Sequence, residues 1–165
     1  TVGVAYRREP MLRLSKKADY ALIAMAHLAQ QPGSASAREI AETYDIPMEL
    51  MAKVLQRLVR RGLLTSQQGA RGGYRLSQAA ESISLADVIQ AIDGPVSVTA
   101  CSSDADCCGQ YEKCNVRDPL WRISSIILSA LAGTSVSELA GDLADSAPGA
   151  DPREPARLAQ AAIRA

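Results

Sequence analysis

The chain has 165 residues, 47% of them hydrophobic, which is room for one domain with a proper core and an appendage but not for two full domains. Net charge is zero, but residues 1–79 carry twelve Lys/Arg against six Asp/Glu (+6) and residues 80–165 carry six against twelve (−6), so a basic front half is joined to an acidic back half. No apolar run approaches the roughly 18–20 residues needed to cross a bilayer, and residues 1–10 lack the apolar stretch of a secretory signal, so the expected compartment is the cytoplasm.

With one Trp, five Tyr and no Phe, the core must be built from Leu, Ile, Val, Met and Ala, which favours packed helices. Ser15 is placed to cap a helix running to about Gln31, with Ala18, Ala21, Leu22, Met25, Ala26 and Ala29 at helical spacing. Pro32-Gly33 breaks it. Ser36-Ala-Arg-Glu39 is a capping box that opens a short helix to about Tyr44. After the turn Asp45-Ile46-Pro47, with Pro47 suited to a first helical position, a longer helix is predicted to about Arg61. Its stripe Met51, Val54, Leu55 and Leu58 must face the core, leaving Glu49, Lys53, Gln56, Arg57 and Arg60 outside. Gly62 ends it. Two strands, Leu63–Ser66 and Tyr74–Ser77, are joined by a glycine-rich loop. The fold expected from this order is mainly α: a winged helix-turn-helix over residues 11–79 with a small two-stranded wing.

Ser84 to about Ile92 forms a further short helix, closed by Gly94-Pro95, and a cysteine loop spans residues 99–116. A long helix follows from about Asp118 to Leu131. Leu120, Ile123, Ile127, Ala130 and Leu131 share one face, with Ile126 and Leu128 beyond it, so the helix is apolar over more than one face. That pattern fits a dimerisation helix packing on its own domain and on a second chain, although a plain core helix shows a similar one. Ser135-Val-Ser-Glu138 caps a final short turn, closing a region of residues 80–143. The Ala/Pro/Asp/Arg composition of residues 144–165 predicts a disordered tail, as expected also of residues 1–10.

In a helix-turn-helix the second helix enters the major groove, its N-terminal residues near base edges. Glu49 and Lys53 are then the base-reading candidates, flanked by Gln56, while Arg57, Arg60 and Arg61 are placed for phosphates. Arg71, the only charge at the wing tip, suits a minor-groove insertion. A solvated basic face and an ordinary glycine turn would look alike in any one of these signals. Their order and spacing together point to double-stranded DNA.

The four cysteines, Cys101, Cys107, Cys108 and Cys114, lie within fourteen residues. A disulfide framework would spread them along the chain. Zinc knuckles take cysteines two to four residues apart, whereas the gaps here are five or six residues except at the adjacent pair. Adjacent Cys107 and Cys108 point in different directions, so three thiolate ligands are natural: Cys101, Cys114 and one of the pair. Soft sulfur donors in a wide loop suit an iron–sulfur cluster, with thiol redox chemistry and zinc as the other readings. No nucleophile–base pair or phosphate loop is present, and an enzyme is not expected.

Leu14-Ser-Lys-Lys-Ala-Asp-Tyr-Ala21, Ile40-Ala-Glu, Leu55-Gln-Arg-Leu, Gly62-Leu-Leu, Gly72-Gly-Tyr-Arg-Leu76 and a three-cysteine loop followed by Trp121 together resemble the Rrf-type winged-helix regulators (IscR- and NsrR-like). The resemblance runs from Met11 to about Gly141. It is nearest the branch that controls the SUF iron–sulfur assembly system in proteobacteria, whose spacing is matched by Cys101, Cys108 and Cys114. It implies a 2Fe–2S or 4Fe–4S cluster on those three residues, Cys107 as an extra thiol, Met11 as the natural start, and repression of iron–sulfur assembly genes. For the fourth ligand, the histidine of IscR-like proteins is replaced here by Arg117, and His27, the single histidine, sits in the apolar first helix. Asp19 matches the aspartate that NsrR-like proteins supply from the other subunit; an acidic residue in a first helical turn is also simply favourable there. Glu112 and Cys107 stay open. At the wing, Gln68 stands where IscR carries its minor-groove arginine, leaving Arg71 for that role. The expectation is a homodimer on a near-palindromic operator whose affinity follows the state of the cluster, or, as the alternative, a cluster-free thiol or nitric-oxide sensor of the same fold.

Overall fold

The computed structural model describes residues 14–69, 72–96 and 111–145. The predicted cysteine ligands Cys101 and Cys108, the extra Cys107, the wing-tip Arg71, the extension 1–10 and the tail from 146 lie outside them.

Helix α1 (Lys16–Gln30) is the centre of the packing. Ser15 caps it, its Oγ accepting from the Ala18 N–H at 3.1 Å. Ala18, Ala21, Ala24 and Met25 have no exposed surface, and the three alanines let neighbouring helices approach closely. Helices α3, α4 and α6 all pack on it. The single histidine, His27, is buried with its ring edge-on to Tyr44 and Nδ1 3.2 Å from the phenol oxygen. It is a core residue, as its place in an apolar helix suggests.

Helix α2 (Ala37–Thr43) starts at the predicted capping box, with both reciprocal hydrogen bonds formed between Ser36 and Glu39. It ends in a left-handed residue, Asp45 (φ +52°), after which the Ile46 N–H reaches back to the Ala41 carbonyl at 2.9 Å. This is the six-to-one bond of a Schellman cap with aspartate where glycine is usual. Helix α3 (Met48–Arg60) follows at once. Pro47 is its N-cap rather than its first residue, so the helix begins one residue later than the sequence suggests. Met51, Val54, Leu55 and Leu58 are buried as predicted. Gly62 (φ +76°) closes the helix, with Leu63 N–H donating to Leu58 O and Gly62 N–H to Val59 O.

Strands β1 (Leu64–Gln67) and β2 (Gly73–Leu76) form the antiparallel wing, in register Leu64↔Leu76 to Gln67↔Gly73, each shifted by one residue from expectation. The wing is fastened to the core by a third backbone rung: Ala35 and Tyr74 exchange N–H···O bonds of 3.0 and 2.8 Å. This close approach accounts for Gly73, where a Cβ would stand 2.7 Å from the Ala35 carbonyl oxygen.

After a 3-10 turn at Ala80–Ser82, helix α4 (Leu85–Asp93) opens on a second capping box, Ser84/Asp87, and stops at Gly94 (φ +86°). A 3-10 turn at Tyr111–Lys113 leads into the long helix α5 (Arg117–Gly133), which packs on α4. Where a short final turn was expected, α6 (Val136–Asp145) is a ten-residue helix lying along α1. It is fixed there by Gln30 Nε2 donating to the Ala140 carbonyl at 2.8 Å and by wholly buried Val136. The α5–α6 corner is clasped to the entrance of α4 by Leu85 N–H to Thr134 O (2.9 Å) and Val136 N–H to Ile83 O (2.8 Å). One core cluster thus runs from Ala18 to Val136. Among the described residues no helix is long and apolar enough to cross a membrane.

The cap of α6 carries a pH dependence. Hydrogen bonds from the Ser135 backbone N–H and from its hydroxyl hold the Glu138 carboxyl below its ordinary value of 4.5. A lowered folded-state pKa contributes stability that is present above the ordinary value and lost as pH falls through the folded one. Urea unfolding should therefore find Glu138→Gln less stable than the parent near neutral pH, with the difference shrinking as pH falls below the ordinary carboxylate value and the folded-state carboxyl takes up its proton.

Candidate nucleic-acid interface

Helices α2 and α3 with the intervening Tyr44–Pro47 turn form a helix-turn-helix, and the β1–β2 hairpin is its wing. The α2 box and the α3 stripe bury one side of each helix, so the outer side of α3 is set by helical period. Glu49, Lys53, Gln56, Arg57 and Arg60 are all exposed there, as predicted, and Arg61 adds a cation at the C-cap. Pro47 supplies no side-chain cap, so the first-turn N–H groups of α3 are free of one, a disposition that favours an anion. Glu49 in that turn gains from the helix dipole whatever else it does.

Like nearly every described Lys and Arg, the cations of this face stand outside ion pairs. Lys53, Arg60 and Arg61 take part in no ion pair, and the one ion pair among the described residues, Arg117–Asp118, is on α5. Uncompensated cations on one helix make a site for a polyanion. Arg57 is different. Its Nε donates to the Ala91 carbonyl in the last turn of α4 at 2.9 Å, a bond that sequence reading does not reveal. One of its five N–H donors is used in this way, leaving the terminal groups for a phosphate.

At the wing, Gln68 and Gly69 are exposed. Arg75 on β2 is a cation the sequence reading passed over. It is exposed, and its Nε donates to Thr65 Oγ1 across the ladder at 3.2 Å. Its signal was available, because Arg75 alternates with Tyr74 and Leu76 in a strand whose other residues are half-buried.

Of the three predicted thiolate ligands, the structure describes Cys114. It is a free, half-buried thiol between the 3-10 turn and α5. Asp19 lies on the first turn of α1 with an exposed carboxylate that has no hydrogen bond or ion pair among the described residues. Glu112 is exposed in the 3-10 turn. The Arg117 side chain at the expected histidine position is bonded to Asp118 at 2.9 Å. One free thiol and one free carboxylate, with three further cysteines in the intervening sequence, are donors chemically suited to iron and sulfide.

The start of α1 is tied to the end of α4. Ser15 donates both its N–H (3.1 Å) and its hydroxyl (2.5 Å) to the carboxylate of Asp93, the last residue of α4. Helix α5 turns a different surface outward. Ser124 is its only buried residue, while Trp121 (44% exposed), Ile123 (47%) and Ile126 (68%) face away.

Comparison with known proteins agrees with this architecture. The family model Rrf2, described as an iron-dependent transcriptional regulator, matches residues 14–142. The HTH-type transcriptional regulator IscR of Photobacterium profundum is 35% identical over 134 residues, spanning 79% of this chain and 77% of its own. Among solved structures, CymR, the global cysteine regulator of B. subtilis, superposes with a TM-score of 0.64 at 28% identity, covering 79% of this chain and 97% of CymR. IscR of T. potens gives 0.64 at 25% identity, covering 84% and 94%.

Proposed function

The chain belongs to the Rrf2 family of transcriptional regulators, and on that footing we propose that it is a cytoplasmic, homodimeric repressor of iron–sulfur assembly genes that senses an iron–sulfur cluster. The DNA-binding, winged-helix regulator is the family's common ground; the cluster, its ligands and the target genes are the proposal. Cys101, Cys108 and Cys114 would hold a 2Fe–2S or 4Fe–4S cluster, with Asp19 of the partner subunit as fourth ligand. Bound there, the cluster supplies a group whose oxidation, nitrosylation or loss removes the restraint on the thiolates.

The observation that carries this reading is the position of Cys114. The segment bearing the thiols leaves the end of α4 and re-enters the fold at α5, and α4 and α5 pack together. Ligation at Cys101, Cys108 and Cys114 would then restrain the connection between these two neighbouring helices. On the DNA side, Lys53 and Glu49 would meet base edges, with Gln56 beside them, while Arg60, Arg61 and the free N–H groups of Arg57 meet phosphates and Arg71 enters the minor groove. Two copies of α3 would read half-sites of a near-palindrome about one helical turn apart.

The resemblance to CymR supports a second reading, in which the cysteines act as bare thiols. One experiment separates the two. Protein purified without oxygen should be coloured and hold iron and sulfide in equal amounts. A DNA duplex selected by it from random sequence should bind loaded and metal-stripped protein with affinities differing by about 5–150-fold, and both should weaken steeply with salt. Colourless, iron-free protein that still changes affinity on thiol oxidation would establish the second reading.

A further inference from the structure

The last turn of α4 holds two ties that reach outside the helix. The Ala91 carbonyl, one of the acceptors a helix end leaves unpaired, takes the Arg57 Nε–H at 2.9 Å. The Asp93 carboxylate takes the N–H and hydroxyl of Ser15, the residue that caps α1. Each tie ends on an element of the proposed function. Arg57 stands on the outward face of α3, and Ser15 begins the turn that carries Asp19. Beyond Asp93 the chain continues through Gly94 and Pro95 toward Cys101.

Geometry makes these bonds directional. A guanidinium is planar, so fixing Nε on a carbonyl sets the plane of the terminal nitrogens that are left for a phosphate. A shift of the α4 terminus therefore rotates the part of Arg57 that faces DNA, without any change in α3. The position is also favourable electrostatically, because a cation belongs at the negative end of a helix. The carboxylate of Asp93 serves the opposite pole of α1 in the same way.

We propose that Arg57 and Asp93 are positioning residues that relay the state of the cysteine segment through the last turn of α4, to the DNA-reading helix by way of Ala91 and to the Asp19 turn by way of Ser15. This rests on the sensing function proposed above and adds the route by which it acts. The relay is a property of this chain's own hydrogen bonds, so it can be tested with and without metal.

The test uses the full chain, as wild type, Arg57→Lys and Asp93→Asn. Each is loaded anaerobically with ferrous iron and sulfide or stripped with chelator, and titrated with the duplex selected by the wild type. The quantity read is the ratio of loaded to stripped dissociation constants. A lost phosphate contact alone weakens both forms equally and leaves this ratio untouched. The wild type should show at least about fivefold; each variant should fall below about twofold while its iron and sulfide content stays at the wild-type level. In stripped protein, amide hydrogen exchange at the end of α4 should be faster in both variants. A ratio that survives both substitutions, with exchange unchanged, overturns the relay and leaves the sensing function standing. A wild-type ratio of one overturns both.

Discussion

Ile126→Glu should leave the protein folded but monomeric, with affinity for a two-half-site operator reduced by about 100- to 10,000-fold. Ile126 is 68% exposed, and with Ile123 and Ala130 it forms an i, i+3, i+7 row on α5 that no described element covers. Proteins rarely leave such a row in water, and a second copy of α5 is the partner in the proposed homodimer. The glutamate costs the monomer nothing, since its side chain already faces solvent, but it would place two carboxylates in the seam. Sedimentation and operator titration check the two halves of the expectation. In a dimer the second recognition helix binds at high effective concentration; once the copies separate, each half-site must be bound independently. A variant that stays dimeric and binds normally would move the seam elsewhere.

Cys114→Ala is the second large effect. The thiol is half-buried outside the main core, so the substitution removes little packing, and the folded protein should hold no iron after anaerobic reconstitution. Its operator affinity should equal that of metal-stripped wild type, a change of about 5–150-fold from the loaded form. Cys107→Ala should keep full iron content, because the proposed thiolate ligands are Cys101, Cys108 and Cys114. Iron analysis and anisotropy titration of the three proteins decide the matter. Iron retained by the Cys114 variant would remove the cluster from this segment.

Much of this molecule can be read from residues close together in sequence. Ser36 with Glu39, the Met51–Leu58 stripe and Gly62 are local signals, and each forms the element it implies. The outward residues of α3 follow from the same stripe, because a helix that buries one side must expose the other. What stays hidden is what depends on distant partners. Gly73 reads as one more loop glycine until Ala35 is seen against it. Arg57 reads as a surface cation until α4 arrives beneath it, and Asp93 as a polar helix end until Ser15 reaches its carboxylate. The ten residues of α6 gain their order from docking on α1, which a capping signal at Ser135 does not disclose. Of the four thiols the structure describes Cys114, and the proposed cluster rests on sulfur chemistry and spacing in the sequence.

The clasp between the entrance of α4 and the α5–α6 corner, with Val136 sealed against α1, sets an order of events during synthesis. The segment that reads DNA is translated early, but the surface it packs on is completed only by the final described helix. A nascent chain halted before residue 136 would present the apolar side of α1 to the ribosome exit and to chaperones. The helix that carries the winged unit therefore gains its full packing only once α6 has joined it.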